Sequence, residues 1–370
     1  MTAPRLTNDE LEALGLYDPA APDAGDRLEM IGLALDHGAT IDEIRTAIAE
    51  KRLHAVPAEL VIAPGSERLT LDEVVARAGV DPDFARHVWR ALGFVVPEPG
   101  TRLCSEADVA LMTFYELASA AFGRAPALSL ARTTGASMAR LADGAITNAR
   151  SVLEAPLRSE GGSNADIART FVAVAEQVIP AVYPMLETVH RRHLVAAARR
   201  YAAWGVEPTS QHTSDAVVGF ADVVGYTSLT QRISADDLER LVVGFEERAL
   251  AATARPGARL VKTIGDEVMF VAGDAADAVE IARALVCDEA LPALRIGLAA
   301  GEVVTRDGDL YGPVVNLAAR LVATAAPEQI VVDAETARRL GNGVTIESLG
   351  TRRLQGFDDP VEVYGLRPSR

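Results

Sequence analysis

"ARLVKTIGDEVMFVAG", residues 258 to 273, decides the fold of the C-terminal half of this chain. Two apolar runs flank a tight turn containing Gly265, the pattern of a strand hairpin. Lys262, Asp266 and Glu267 interrupt these runs, and a charge placed among buried residues is costly unless it has a partner. Their presence points to a turn that does chemistry.

Working outward, "DAVVGFAD" (215 to 222) is a short, continuous apolar run suited to a strand covered on both faces. "SADDLERLVVGFEERAL" then places Leu238, Leu241, Val242 and Phe245 on one helical face. After the hairpin come a helix over Ala275 to Cys287, the strand "ALRIGLAA", the helix "PVVNLAARLVATA", the strand "QIVVD", a short helix and the terminal "PVEVYGL". Helices alternating with strands in this order predict an α+β domain of the βαββαβ kind over residues 215–370, with helices on at least one face.

Residues 1–205 read differently, as an all-α region. Leu28, Ile31 and Leu35, then Ile41, Ile44 and Ile48, recur at three-to-four spacing, with turns supplied by Gly38 and Pro57. "LTLDEVVARAGVDPDFARHVWRALGF" (69 to 94) predicts a helical hairpin that opens on a Thr70/Glu73 capping box and turns between Gly79 and Pro82. The hairpin resembles a helix-turn-helix, with Arg86, His87 and Arg90 on its second helix. Asp72, Glu73, Asp81 and Asp83 leave the unit net negative, which opposes DNA as a partner, and a structural hairpin is the better reading. A later helical stretch, expected to be interrupted by Pro180 and Pro184, runs to Gly205, and "VEPTSQHTS" supplies a linker over 206–214.

The chain has 370 residues and a formal net charge of -16, which opposes broad nucleic-acid or anionic-membrane binding and leaves an anionic substrate in need of a cation. "MTAPRLTNDELEALG" is polar, and no apolar run reaches the roughly 18 residues of a membrane span, so a cytoplasmic location is expected. Cys104 and Cys287 lie too far apart in sequence to suggest a disulfide framework or a zinc site.

Asp222 closes the first strand and Asp266 lies in the hairpin turn. If the two strands are neighbours, two carboxylates meet at one end of the sheet, and divalent cations between them would offset their repulsion. Oxygen ligands with room for phosphates suit magnesium or manganese. Gly225, Tyr226 and Thr227 follow in a strand-to-helix turn whose free N–H groups suit phosphate oxygens. Asn316 and Arg320, four apart, share one helix face.

"FADVVGYTSLT", "KTIGDEVMF" and "YGPVVNLAARL" together resemble, in order and spacing, the three motifs of class III nucleotidyl cyclase catalytic domains, over roughly residues 213 to 367. The resemblance implies a ferredoxin-like, palm-like catalytic domain that makes 3',5'-cyclic AMP from ATP. It implies two Mg2+ or Mn2+ per active site, bound by Asp222 and Asp266. Lys262 and Asp309 would read the base, Asn316 would position the ribose, and Arg320 would stabilise charge at the reacting phosphate. A lysine and a carboxylate complement the N1 acceptor and N6 donor of adenine, whereas guanine reverses both functions, so the pair favours ATP. Family geometry further implies a homodimer, with Asp222 and Asp266 from one subunit and Lys262, Asp309, Asn316 and Arg320 from the other. Gln355 stands where the family commonly carries a phosphate-binding lysine, and Arg352 or Arg353 is the expected substitute.

The N-terminal half resembles the regulatory region of autoinhibited, pH-responsive adenylyl cyclases of mycobacteria, in its layout and in "HRRHL". His190 and His193, one helical turn apart beside Arg191 and Arg192, are the expected regulatory residues, since their protonation adds like charge. Competing readings are a guanylate or diguanylate cyclase, or a nucleotide-sensing regulator that binds DNA through residues 69–94. Neither a diguanylate cyclase nor an inactive sensor accounts for the whole set of Asp222, Asp266, Lys262, Asp309, Asn316 and Arg320.

Overall fold

A computed structural model of the chain describes residues 6–63, 68–203, 213–341 and 344–366. The chain divides into two compact units, Met1–Val189 and His190–Arg370. Residues 204–212, most of the expected linker, lie outside the described residues, and Thr213 and Ser214 already pair as strand with Val304 and Val303.

The first unit is built almost wholly of helices around two small cores. In one, Ile31 and Ile44 are fully buried and Leu28, Leu35, Ile41 and Ile48 pack beside them, as their spacing requires. In the other, the hairpin helices Leu71–Ala78 and Pro82–Ala91 bury Val74, Phe84, Val88 and Trp89 against Met112 and Tyr115. The Thr70/Glu73 capping box forms, and Gly79 ends the first helix in the left-handed region at φ 68°. Arg86 is held by Asp83, so the second helix spends one of its basic residues locally.

Two features depart from the sequence reading. Strands β1 (Leu69–Thr70) and β2 (Arg102–Cys104) form a short antiparallel ladder, too brief to leave a periodic signal. Pro180 and Pro184 do not interrupt the last helix, which runs unbroken from Asn164 to Ala203. Each proline removes one N–H, but a 40-residue helix retains enough hydrogen bonds on either side to continue, and Thr188 Oγ1 donates to the Pro184 carbonyl.

The second unit is one mixed sheet. Its strands are β3 (Thr213–Val223), β4 (Ala258–Ile264), β5 (Glu267–Ala272), β6 (Leu294–Arg306), β7 (Asp309–Tyr311), β8 (Gln329–Asp333), β9 (Ile346–Arg352) and β10 (Val361–Leu366). Their order is β4-β5-β3-β6-β8-β10-β9, with β7 paired to β6. The first four strands, with helices Ala235–Thr253 and Ala275–Val286, make the expected βαββαβ unit, and β8, β10 and β9 extend it. Period-two alternation sends Val217, Ala221, Val268 and Phe270 into one core and Ala216, Val218, Phe220 and Met269 into the other, so both faces are covered. The second face lies under helix Pro313–Val322, which approaches so closely that a Cβ on Gly297 would meet the Ala318 carbonyl oxygen at 2.5 Å.

Candidate active site

The site begins at the end of β3. Asp222 pairs in register with Glu267 of β5 on one side and Arg295 of β6 on the other. The backbone N–H of Val223 donates to the Asp266 carbonyl at 3.1 Å, which ties the β4–β5 turn to the end of β3. Asp222 and Asp266, 44 residues apart in sequence by their numbering, are therefore neighbours. Burial raises the Asp222 carboxyl above its ordinary range, and the Asp266 charge raises it further, against the pull of Arg295. Glu267 is pushed up to about 7 by burial and by Asp222 and Asp266. Three carboxylates crowded at one edge, with one guanidinium bonded to Asp222, form an electron-rich oxygen site.

This donor set fits a hard divalent cation. Among the described residues no group of three acidic, histidine or cysteine side chains forms a ready cage. Two neighbouring carboxylates with open positions are what Mg2+ or Mn2+ needs when substrate phosphates complete the shell.

The second cluster joins β4 to the β6–β7 turn. Lys262 Nζ donates to Asp309 Oδ2 at 2.5 Å, and the Leu310 N–H donates to Asp309 Oδ1 at 2.8 Å. The Lys262 and Asp309 side chains remain 37% and 26% exposed, and an ion pair this wet contributes only about 0–1 kcal/mol to stability. Holding a lysine beside a carboxylate in an accessible place suits recognition better than folding.

Asn316 and Arg320 project from helix Pro313–Val322, and both are exposed. Among the described residues neither side chain bonds to the Asp222–Asp266 pair or to the Lys262–Asp309 pair, so one chain presents separate groups rather than a closed site. Gly225 sits at φ 73° and starts helix Tyr226–Thr230, whose five residues make a turn rather than a strong dipole. Gln355 is exposed in the turn before β10, and Arg352, the last residue of β9, and Arg353 just after it are exposed as well. His190 and His193 lie exposed on helix Asn164–Ala203.

The sequence reading passed over Arg295. A guanidinium in the apolar run "ALRIGLAA" carries the same signal as Lys262 in β4, a charge where the neighbours are buried, and it ends on the Asp222 carboxylate. Its Nε is buried without a hydrogen-bond partner among the described residues. Glu267 was visible as an interruption but its crowding against Asp222 depends on cross-strand register.

Comparison with known proteins adds the family context. The adenylate cyclase regulatory domain matches residues 7–197, and the adenylate and guanylate cyclase catalytic domain matches residues 208–368. An adenylate cyclase of Streptomyces coelicolor is 36% identical over 330 residues, covering 85% of this chain and 84% of that protein. A pH-sensitive adenylate cyclase of Mycobacterium tuberculosis is 30% identical over 366 residues, covering 92% and 88%. Among solved structures, the adenylyl cyclase CyaB from P. aeruginosa aligns with 43% of this chain and 96% of its own, at 23% identity and a TM-score of 0.39.

Proposed function

The chain belongs to the class III cyclase family, with an adenylate cyclase regulatory domain ahead of an adenylate and guanylate cyclase catalytic domain, and on that premise we propose that it converts ATP to 3',5'-cyclic AMP and pyrophosphate. The observation that carries the choice of ATP is the Lys262–Asp309 contact, which joins a donor and an acceptor 47 residues apart. Adenine N1 takes a hydrogen bond from the lysine and the N6 amino group gives one to the carboxylate. Guanine reverses both functions, setting its N1–H donor against the lysine and its O6 acceptor against the carboxylate.

In the reaction the ribose 3'-oxygen forms a bond to the α-phosphorus, the bond to the pyrophosphate oxygen breaks, and the hydroxyl proton is released to solvent. Asp222 and Asp266 would hold the divalent ions, which would supply a lower pKa for the hydroxyl and positive charge for the transferring phosphoryl group. Asn316 orients the ribose. Arg320 supplies positive charge to the α-phosphate as the transition state develops. Where Gln355 stands in place of a lysine, exposed Arg352 or Arg353 supplies the cation for the departing pyrophosphate. The turn at Gly225, half-buried Tyr226 and exposed Thr227 presents backbone N–H groups to phosphate oxygens. No histidine follows position 212, so no histidine of the catalytic domain acts as a general base.

The open groups of a single chain favour a homodimer whose two sites each draw Asp222 and Asp266 from one subunit and the other four residues from its partner. Mg2+ and Mn2+ are the matching ions. Among the described residues no helix is long and apolar enough to cross a membrane, and the cytoplasm, where ATP is supplied, is the location that suits this reading. Acid response is assigned to the regulatory region matched over residues 7–197, with His190 and His193 near its end as the residues to test. A pH-sensitive relative supports this reading. Replacing both histidines with alanine should flatten the activity profile of the full chain between about pH 5.5 and 8, and an unaltered profile would dismiss these two residues.

The test of substrate choice is the paired exchange Lys262→Glu with Asp309→Cys. ATP turnover should collapse while use of GTP rises relative to it, and undiminished ATP turnover would overturn the assignment.

A further inference from the structure

β4 has a register shift between Leu260 and Lys262. In a regular strand residues 259 and 262, three apart, would point to opposite faces. The extra residue of the bulge brings them to one face. Arg259 opposes Val271 and Lys262 opposes Met269, and those two partners belong to the same core layer.

Both cations then reach the same turn. Arg259 Nη2 donates to the Gly308 carbonyl at 2.9 Å, and Lys262 donates to Asp309 at 2.5 Å. The turn joins Arg306 of β6 to Asp309 of β7 through two residues with positive φ, Asp307 at 53° and Gly308 at 80°. Consecutive left-handed residues are what a two-residue hairpin demands, and Gly308 meets that demand without strain. The carbonyl that Arg259 grips belongs to the peptide unit that ends at the Asp309 nitrogen. Asp309 is therefore fixed from behind through its backbone, from the side through Leu310, and from the front by Lys262.

A stability role explains Arg259 poorly. Burial pulls its guanidinium below the usual range, and nearby Arg200 adds to the effect. Among the described residues no carboxylate forms an ion pair with it, and its desolvation is opposed by the Gly308 carbonyl and by the longer-range pull of Tyr201 and Asp309. A less demanding side chain would serve if the only task were to close a hairpin.

We propose that Arg259 is a positioning residue for nucleobase selection, holding the β6–β7 turn so that the Asp309 carboxylate meets the adenine amino group while Lys262 meets the ring nitrogen. The proposal rests on the reading of Lys262 and Asp309 as base readers. Arg259 touches neither substrate nor metal and acts through Asp309.

The test compares kcat/KM for ATP and for GTP in the full-length chain, the Arg259→Met variant and the Lys262→Glu/Asp309→Cys variant, with thermal melts of each. Arg259→Met should lower the ATP-to-GTP preference about 10-fold, chiefly through the KM for ATP, because a displaced carboxylate loses its hydrogen bond to the base. Arg259→Lys, which keeps a donor but not the reach, should fall between. An equal loss for both nucleotides, or no change in preference, overturns the role of Arg259. If the paired exchange alters preference and Arg259→Met does not, only this proposal fails. If the paired exchange alters nothing, the base-reader assignment fails and takes the proposal with it. Should Arg259→Met not fold, Arg259→Lys decides by the same ratio.

Discussion

Gly297→Ala is a one-carbon change that should disable the enzyme from beneath its active-site helix. Gly297 pairs in register with Phe220 of β3 and Val331 of β8, in the middle of the sheet where the backbone cannot yield. Its added Cβ would lie 2.5 Å from the Ala318 carbonyl oxygen and 2.6 Å from the Val322 nitrogen. Ordinary contact begins near 3.4 Å, so helix Pro313–Val322 must retreat by roughly 3.4 − 2.5, about 0.9 Å. Overpacking of this kind costs about 1–3 kcal/mol. Arg320 sits between Ala318 and Val322, so it moves with them, and a displacement of about 1 Å at a catalytic group can cost about 100-fold in rate. A thermal melt and a cyclic AMP assay on the same preparation separate the two effects. Arg320→Ala, which removes an exposed side chain, should lose the rate while keeping the melting temperature. A Gly297→Ala protein with a wild-type melt, or one destabilised yet fully active, would refute the coupling between this glycine and the catalytic helix.

Three further outcomes follow from other parts of the structure. Mixing Asp222→Ala and Arg320→Ala chains should restore activity through one intact shared site, and confirmed heterodimers without recovery would argue against sharing. Thiol labelling of the native protein near neutral pH should modify exposed Cys287 rapidly and spare Cys104, which is buried and whose thiol is pushed up to about 11 by burial; equal rates for the two would contradict this packing. Asp333 is buried and accepts from the Thr336 N–H at 3.0 Å and the Ala300 N–H at 3.4 Å, so Asp333→Ala should cost about 1–3 kcal/mol in a denaturant titration, and an unchanged midpoint would count against that cap.

Much of this architecture is written in the residues themselves. The βαββαβ order follows from continuous apolar strands alternating with one-faced helices, and β3 with its inward rows on both faces is the clearest case. β9 left no such signal because it is an edge strand whose residues are exposed or half-buried, with Gly350 inside it. β7 is three residues long, and its existence depends on the hairpin at Asp307 and Gly308. The unbroken helix through Pro180 and Pro184 shows local propensity overridden by length.

The candidate site was legible where charges interrupt apolar runs, as at Lys262, Asp222 and Asp266. Arg295 offered the same clue in β6, but its pairing with Asp222 required the register of two strands. Arg259 could not be read from spacing at all. Three residues from Lys262, it belongs on the opposite face of an ordinary strand, and only the bulge turns both toward the same hairpin.

The central claim is that Asp222 and Asp266 together serve cation-dependent cyclisation of ATP. The most direct measurement is cyclic AMP formation by purified, metal-stripped full-length protein, with and without added Mn2+, alongside Asp222→Ala and Asp266→Ala. The account predicts product only when the cation is present, and a loss of about 100-fold or more in either variant at an unchanged melting temperature. Cyclic AMP formed equally well without divalent cations, or by variants lacking either aspartate, would contradict it.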